Sequence, residues 1–313
     1  MKDAPIIRSS LLRSVVLLSL LILPVRAWEE SLPPDMLRDY VQADAVLDEL
    51  PCAWRERVES IFRPAVQQCR SAREAVLLIT SHMTELTGGI HYSPLRSKPN
   101  MNALESLAER RASCTGLSIM LVCALRSVGI PARAAFVITW GHIRGNHTWV
   151  EAWVDGRWEM IEFNQNDFNT PWVMESIGLL DTSRPEQRIY AVAPRSPYTL
   201  SFFDRPVHVE DVTARYLALS RRWYAQQGMP PGHQLLMVDV QPRPANEGEH
   251  LLLEDDTGTV LAELPAPTQM DDIRHFATFH LPSKGSYYLR YRRIRTPVRA
   301  TDRPAQIICL PAS

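Results

Sequence analysis

The segment 113–131, SCTGLSIMLVCALRSVGIP, constrains the fold of this chain more than any other. Its apolar residues recur at helical spacing, and further apolar residues fill most of the remaining surface of the predicted helix. Gly129 and Pro131 follow as residues that end a helix. A helix that is apolar nearly all round is buried, so this segment predicts a central helix with other elements packed around it.

The start of this helix carries a cysteine in an unusual place. Ser113 is a good N-cap residue, which puts Cys114 at the first helical position. A helix N-terminus stabilises a nearby anion and can lower the pKa of a thiol. Two interpretations of Cys114 are open from this stretch alone: a catalytic nucleophile, or a small apolar residue that happens to begin a helix.

The segment 145–164, GNHTWVEAWVDGRWEMIEFN, predicts a β-hairpin, because Asp155-Gly156 separates two alternating runs. Counting outward from this turn places His147 opposite Asn164, with Glu162 on the diagonal. Either residue could accept a hydrogen bond from one imidazole nitrogen and leave the other for a thiol. Alone, His147 and Glu162 would be ordinary strand residues. The order of cysteine, histidine and acid along the chain favours a catalytic set.

The first 27 residues are typical of a secretory signal peptide. Basic residues precede an apolar run from Val15 to Leu23 that is too short to span a bilayer, and a small-residue cleavage site precedes Trp28. We therefore expect a secreted or periplasmic protein with no stable membrane anchor after cleavage. An uncleaved anchor is the alternative. In an oxidising compartment Cys52 and Cys69 could form a disulfide, and Cys114 is the best candidate to stay reduced.

Charge and ligand spacing exclude two other classes of function. Lys and Arg total 34 against 35 Asp and Glu, which argues against a nucleic-acid partner. A metal site built from Cys114, His142 and His147 is weakly supported, because the histidine spacing suits neither a helix nor one strand face. We expect no metal and no cofactor.

The remaining pattern predicts an α+β protein in two domains. Helical patterns dominate from Pro34 to about Gly88, strands follow the Cys114 helix, and the chain after a Gly- and Pro-rich linker near 226–233 is entirely β. We predict a catalytic domain at 28–226 and a small β-sandwich at 232–313.

The Cys114 segment, taken together with NHTWVEAWVDGRW and the acid that follows, resembles the transglutaminase-like superfamily, more narrowly its secreted bacterial members. The resemblance implies a papain-like α+β fold with a Cys-His-Asp triad, in which Cys114 is the nucleophile and His147 the base. Glu162 stands where many members have Asp, and Asn164 and Asp167 are possible substitutes. The oxyanion hole would use the backbone N–H of Cys114 and a second donor, for which the candidates are the residues His91 and Tyr92.

This set of residues predicts acyl transfer through a thioester. Cys114 would attack an amide carbonyl of a peptide or protein, and water would then complete hydrolysis. Hydrolysis is favoured over transamidation, because no segment of the sequence is recognisable as a water-excluding lid. The alternatives are a protein-crosslinking transamidase and a binding module that retains the fold without chemistry.

Overall fold

The computed structural model describes residues 28, 32–143, 145–271, 275–301 and 303–312. The predicted signal peptide, residues 1–27, lies outside the described residues. Contacts between Cα atoms divide the chain into two compact units. The first contains the described residues of Met1–Val137, His147–Thr170 and Tyr190–Glu210, and the second those of Ile138–Asn146, Pro171–Ile189 and Asp211–Ser313.

The first unit contains the helices that precede and include the Cys114 segment. Their bounds are α1 Pro34–Leu37, which continues as a π-helical turn Arg38–Gln42, α2 Arg55–Ala65, α3 Ala72–Ser81, α4 Met83–Leu86, α5 Ala103–Glu109 and α6 Cys114–Ser127. The helical pattern predicted from Pro34 is therefore wrong just beyond Gln42, where the backbone of Ala43 becomes extended. Backbone N–H groups of the following loop are bonded instead to the side chain of Glu49.

Helix α6 is the central element that the sequence predicts. Every residue from Thr115 to Ser127 is buried. The helix packs on strands β3 and β4, defined below, and also contacts α2, α3 and α5. Its C-terminal end turns at Gly129, whose φ of 83° lies in the region that favours glycine.

The strands of the first unit form a two-stranded parallel pair and most of a six-stranded sheet. The pair is β1 His91–Tyr92 and β2 Arg111–Ala112, and the sheet has the order β5-β4-β3-β6-β8-β7. The sheet strands are β3 Ala132–Val137, β4 His147–Val154, β5 Arg157–Ile161, β6 Ile189–Val192, β7 Thr199–Leu200 and β8 Val207–Asp211. The predicted hairpin is confirmed, since Trp153 pairs with Trp158 and Val154 with Arg157.

The second unit contains helices α7 Pro171–Gly178 and α8 Thr213–Gln226, which pack on each other, and the C-terminal strands. The strands are β9 His233–Gln241, β10 His250–Glu254, β11 Val260–Pro265, β12 Ala277–Pro282, β13 Ser286–Tyr291, β14 Ile294–Arg299 and β15 Ala305–Pro311. They form two sheets, ordered β11-β10-β13-β14 and β12-β9-β15, that share one apolar core. The predicted β-sandwich and the α+β class are confirmed.

The two compact units do not follow the predicted domain ranges. Tyr224 of α8 lies in one apolar cluster with Leu179, Met237 and Ala305, so the boundary between 28–226 and 232–313 falls inside the second unit. That each range is an independent domain stays a prediction.

Cysteine pairing and membrane spans can also be compared with the sequence expectations. Cys52 and Cys69 do not form the disulfide considered from the sequence, since all five cysteines, each within the described residues, are free thiols. Across the described part of the chain, no helix combines the length and apolar character needed to cross a bilayer.

Candidate active site

Cys114 lies at the first position of α6, as the sequence predicts. The Oγ of Ser113 accepts a hydrogen bond from the backbone N–H of Gly116 at 3.0 Å. The same hydroxyl donates to the carbonyl of Pro99 at 2.6 Å, which ties the preceding loop to the helix start. The cap holds the first turn in place and leaves Cys114 partly exposed, whereas the rest of the helix is buried.

The third helical position must be glycine because β2 approaches it closely. A Cβ on Gly116 would lie 2.9 Å from the Cβ of Ala112. Real side chains do not approach this closely, so a larger residue would push the helix away from β2 and move Cys114 with it.

His147 is the first residue of β4, and its ring lies between the thiol and an acid. Cys114 is hydrogen-bonded to this ring. The Nε2 nitrogen of His147 lies 2.6 Å from Oε1 of Glu162. An ionised carboxylate only accepts hydrogen bonds, so Nε2 is the donor and Nδ1 remains for Cys114. The three side chains thus form one hydrogen-bonded chain, as the sequence predicts for Cys114, His147 and Glu162.

Two threonines hold the helix and the strand in register at this point. The hydroxyls of Thr115 and Thr148 lie 3.0 Å apart, and both residues are buried. Ser118 Oγ also donates to the carbonyl of Thr148 at 2.9 Å. Because Thr115 follows Cys114 and Thr148 follows His147, these bonds fix the distance between thiol and imidazole. Sequence reasoning missed this pair, although a threonine follows both predicted site residues.

Asn164 does not face His147, which corrects the expectation from the hairpin count. The β4–β5 ladder ends at Ile161, and Asn164 has a φ of 58° in the turn beyond it. Its side chain bonds to Thr84 instead. Strand alternation does not extend past the last paired residue, so the count fails there. Glu162 still reaches the imidazole from the start of the turn.

The other candidates lie elsewhere. Asp167 is exposed, and its Oδ1 accepts from the N–H of Phe168 at 2.7 Å. His91 and Tyr92 are both exposed on β1, so a role of either as second oxyanion donor stays a prediction. His142 contacts Ser176 Oγ at 3.4 Å, and the described residues contain no cluster of three or more metal-ligating side chains.

The electrostatics of the site favour a thiolate beside an imidazolium. Burial raises the pKa of Cys114, but the hydrogen bond and the charge of His147 outweigh it, so the net pKa is lowered. Burial lowers the pKa of His147, but the bonds to Cys114 and Glu162 outweigh this effect and raise the pKa to about 9. The pKa of the thiol falls and that of the imidazole rises for the same reason, because each partner stabilises the charged form of the other.

The other four thiols have no such partner. Burial raises the pKa of Cys52, Cys69 and Cys309, and raises that of Cys123 well above its ordinary value. Cys114 is therefore the one cysteine of this chain whose pKa is lowered. A thiolate at neutral pH is a nucleophile, so the arrangement can perform attack on a carbonyl carbon.

A family model matches the part of the chain that carries these residues. Residues 61–162 match the family model of the transglutaminase-like superfamily, a range that contains Cys114 and His147 and ends at Glu162. A search of curated proteins returns no match.

Several solved structures are similar to parts of the chain. Red sea bream transglutaminase is 12% identical with a TM-score of 0.41, over 87% of this chain and 64% of that one. A protein from Cytophaga hutchinsonii described as a candidate cysteine protease is 16% identical with a TM-score of 0.34, over 44% of each chain. Calcium-bound LapG of Legionella pneumophila is 10% identical with a TM-score of 0.28, over 45% of this chain and 84% of that one. The chain spans less than two thirds of the length of the first two.

Residues 61–162, which include all three members of the hydrogen-bonded chain, match the transglutaminase-like superfamily, whose members are typically enzymes with a cysteine nucleophile.

Proposed function

We propose that this protein is a secreted or periplasmic thiol-dependent amide hydrolase. Cys114 acts as nucleophile, His147 as proton carrier and Glu162 as the group that orients the imidazole. The observation that carries the proposal is the hydrogen-bonded chain from Cys114 through His147 to Glu162, with a lowered pKa at the thiol and a raised pKa at the imidazole.

In the first half-reaction the thiolate of Cys114 attacks the carbonyl carbon of an amide. The negative charge that develops on the oxygen is stabilised by the backbone N–H of Cys114 at the positive end of α6. The C–N bond then breaks, the imidazolium of His147 gives its proton to the leaving amine, and the acyl group remains on sulfur as a thioester.

In the second half-reaction water replaces the amine. Neutral His147 accepts a proton from water as the oxygen attacks the thioester carbonyl. The C–S bond breaks, a carboxylic acid leaves, and the thiolate–imidazolium pair is restored. We propose hydrolysis rather than transamidation because no segment of the sequence is recognisable as a water-excluding lid.

We propose a peptide or protein amide as substrate, in keeping with the family, and an extracytoplasmic location on the strength of the N-terminal sequence alone. The role of the β-sandwich in this reaction is not part of the proposal. No step requires a metal or a cofactor.

The first test uses p-nitrophenyl acetate as an activated acyl donor. We expect acetylation of the wild-type protein at Cys114, seen by peptide mapping, with a burst of p-nitrophenol. Cys114→Ser should lower turnover by about 10³-fold or more, because a hydroxyl has no comparable anionic form at neutral pH. Cys123→Ser makes the same chemical change inside the same helix and should keep the burst per folded molecule.

Absence of acetylation at Cys114 in the folded wild-type protein would overturn the proposal in favour of a binding module. A primary amine added to the reaction separates the two enzymatic outcomes. Release of acetate in excess over the acetylated amine supports hydrolysis. Dominant acetylation of the amine would overturn hydrolysis in favour of transamidation.

A further inference from the structure

The acid of the site is not held by the sheet. Strand β5 ends at Ile161, and Glu162 is the first residue after it. The carbonyl of Glu162 accepts from the N–H of Gln165 at 3.3 Å, within a turn that also contains Asn164 at a φ of 58°. The orientation of the Glu162 carboxylate therefore depends on whatever fixes this turn.

The side chain of Asn164 fixes the turn to α4 by two hydrogen bonds to a single residue. The backbone N–H of Thr84 donates to Oδ1 of Asn164 at 3.1 Å. The Nδ2 of Asn164 donates to Oγ1 of Thr84 at 2.6 Å. Two bonds between the same two residues restrict both translation and rotation of the turn relative to the helix.

The hydroxyl of Thr84 also reaches the segment that leads to the nucleophile. Oγ1 donates its one proton to the carbonyl of Ile90 at 2.9 Å, and it accepts from Asn164 through a lone pair. The carbonyl of Thr84 accepts from Gly89 at 2.7 Å, so the chain returns tightly to α4. Thr84 thereby contacts both the turn after Glu162 and the residue before β1.

Strand β1 continues this connection to Cys114. Ile90 is fully buried, and the strand that follows pairs with Arg111 and Ala112. The N–H of Ser93 also donates to the carbonyl of Ala112 at 3.0 Å. Ala112 stands next to Ser113, the residue that caps α6.

We propose that Thr84 and Asn164 form a positioning clamp, the Thr84–Asn164 clamp, that holds Glu162 against His147 and joins this turn to the segment bearing Cys114. Neither residue touches the reacting atoms, so both act through Glu162. The catalytic consequence rests on the function proposed above, whereas the effect on the imidazole does not.

The test compares three threonine variants of the full-length protein. Thr84→Val keeps the shape and the backbone N–H but removes the hydroxyl, and Thr84→Ser keeps the hydroxyl. Thr87→Val is the matched control, because Thr87 lies one residue beyond α4 and its hydroxyl donates to the carbonyls of Met83 at 2.6 Å and Thr84 at 3.4 Å, without contacting Asn164 or the Thr84 side chain. The measurement is the NMR titration of the His147 ring, assigned by its loss in His147→Gln.

We expect Thr84→Val to lower the pKa of His147 by about one unit, because a displaced carboxylate stabilises the imidazolium less. Thr84→Ser and Thr87→Val should titrate as the wild-type protein does, even where circular dichroism shows a lower melting temperature. An unchanged titration in Thr84→Val would overturn the clamp, as would an equal shift in Thr87→Val. Failure of acetylation at Cys114 in the wild-type protein would instead count against the proposed function, and the titration would still decide the clamp.

Discussion

Helix α6 carries a cysteine towards each end, and the two thiols have opposite chemistry. Cys114 at the N-terminal end and Cys123 near the C-terminal end both experience burial, which by itself raises the pKa of a thiol. The pKa of Cys114 is nevertheless lowered, because His147 supplies a hydrogen bond and a positive charge. At Cys123 burial raises the pKa of the thiol, and this effect is larger than the lowering by the charge of Arg126. A directed partner, rather than position on a helix, thus separates a thiol of lowered pKa from a packed thiol of raised pKa.

The charged residue near the C-terminal end of α6, Arg126, stabilises the fold through hydrogen bonds. Arg126 is 2% exposed and donates to three backbone carbonyls, those of Ala43, Ala45 and Ala132. Burial lowers its pKa to about 10, so it stays protonated near neutral pH. The guanidinium supplies donors to a loop that forms neither helix nor strand. One helix therefore presents its reactive group at one end and joins loops to the core at the other.

The largest effect on stability should come from the C-terminal end. Arg126→Met keeps much of the side-chain volume and removes the guanidinium donor of three buried or partly buried carbonyls, of which only that of Ala43 keeps a second side-chain donor, Arg55. We expect the free energy of unfolding to fall by about 3 kcal/mol, because each lost charge-assisted bond is worth roughly 1–3 kcal/mol and part is recovered by water. Urea unfolding followed by circular dichroism measures this change.

Arg126→Met also tests whether the two ends of α6 act independently. Acetylation of Cys114 per folded molecule should be unchanged in Arg126→Met. A loss of reactivity at Cys114 without a loss of stability would show that the two ends are not separate in role.

The next effect concerns turnover and comes from Glu162, the acid near the N-terminal end of α6. Glu162→Gln should lower kcat/KM by about 10²-fold, because the amide no longer stabilises the imidazolium and can present its NH2 group to Nε2. Since Glu162 raises the pKa of His147, activity in the wild-type protein should fall as pH rises through about 9. In the variant this fall should occur at lower pH. The measurement is the pH dependence of kcat/KM for a chromogenic p-nitroanilide, an amide whose leaving amine needs the proton of the imidazolium.

Glu159→Gln, three residues earlier on β5, is the matched control. Glu159 is buried and pairs with Arg73 and Arg157, away from the imidazole. Its loss should reduce stability and leave the pH profile in place. If Glu162→Gln were harmless while Asn164→Ala abolished turnover, the assignment of the acid would be wrong.

Much of this site could be predicted from the sequence, since its parts depend on local rules. The N-cap at Ser113, the first helical position of Cys114 and the hairpin at Asp155-Gly156 each follow from a few neighbouring residues. The contact between His147 and Glu162 was also predicted by the hairpin count, although the paired strand ends one residue before Glu162.

The remainder depends on tertiary contacts that periodicity does not encode. The two hydrogen bonds between Thr84 and Asn164 join segments far apart in sequence. Asn164 lies beyond the last paired residue of the hairpin, where strand alternation no longer predicts side-chain positions. The chain after Gln42 has helical periodicity but leaves the helix, with Glu49 and Arg126 bonding its backbone. The sequence predicts a domain boundary just after α8, although Tyr224 near the end of this helix lies in one apolar cluster with Leu179 and Met237.

The most direct test of the account is the pH dependence of alkylation at the two ends of α6. Iodoacetamide labelling with peptide mapping should modify Cys114 already near pH 6, where ordinary thiols with pKa values of about 8.5 are almost fully protonated. Cys123 should remain unlabelled in the folded protein, and the exposed Cys309 should react only as pH rises towards its higher pKa. In His147→Gln the early labelling of Cys114 should disappear. Labelling of Cys114 and Cys309 to equal extents, rising together only above about pH 8, would contradict the account.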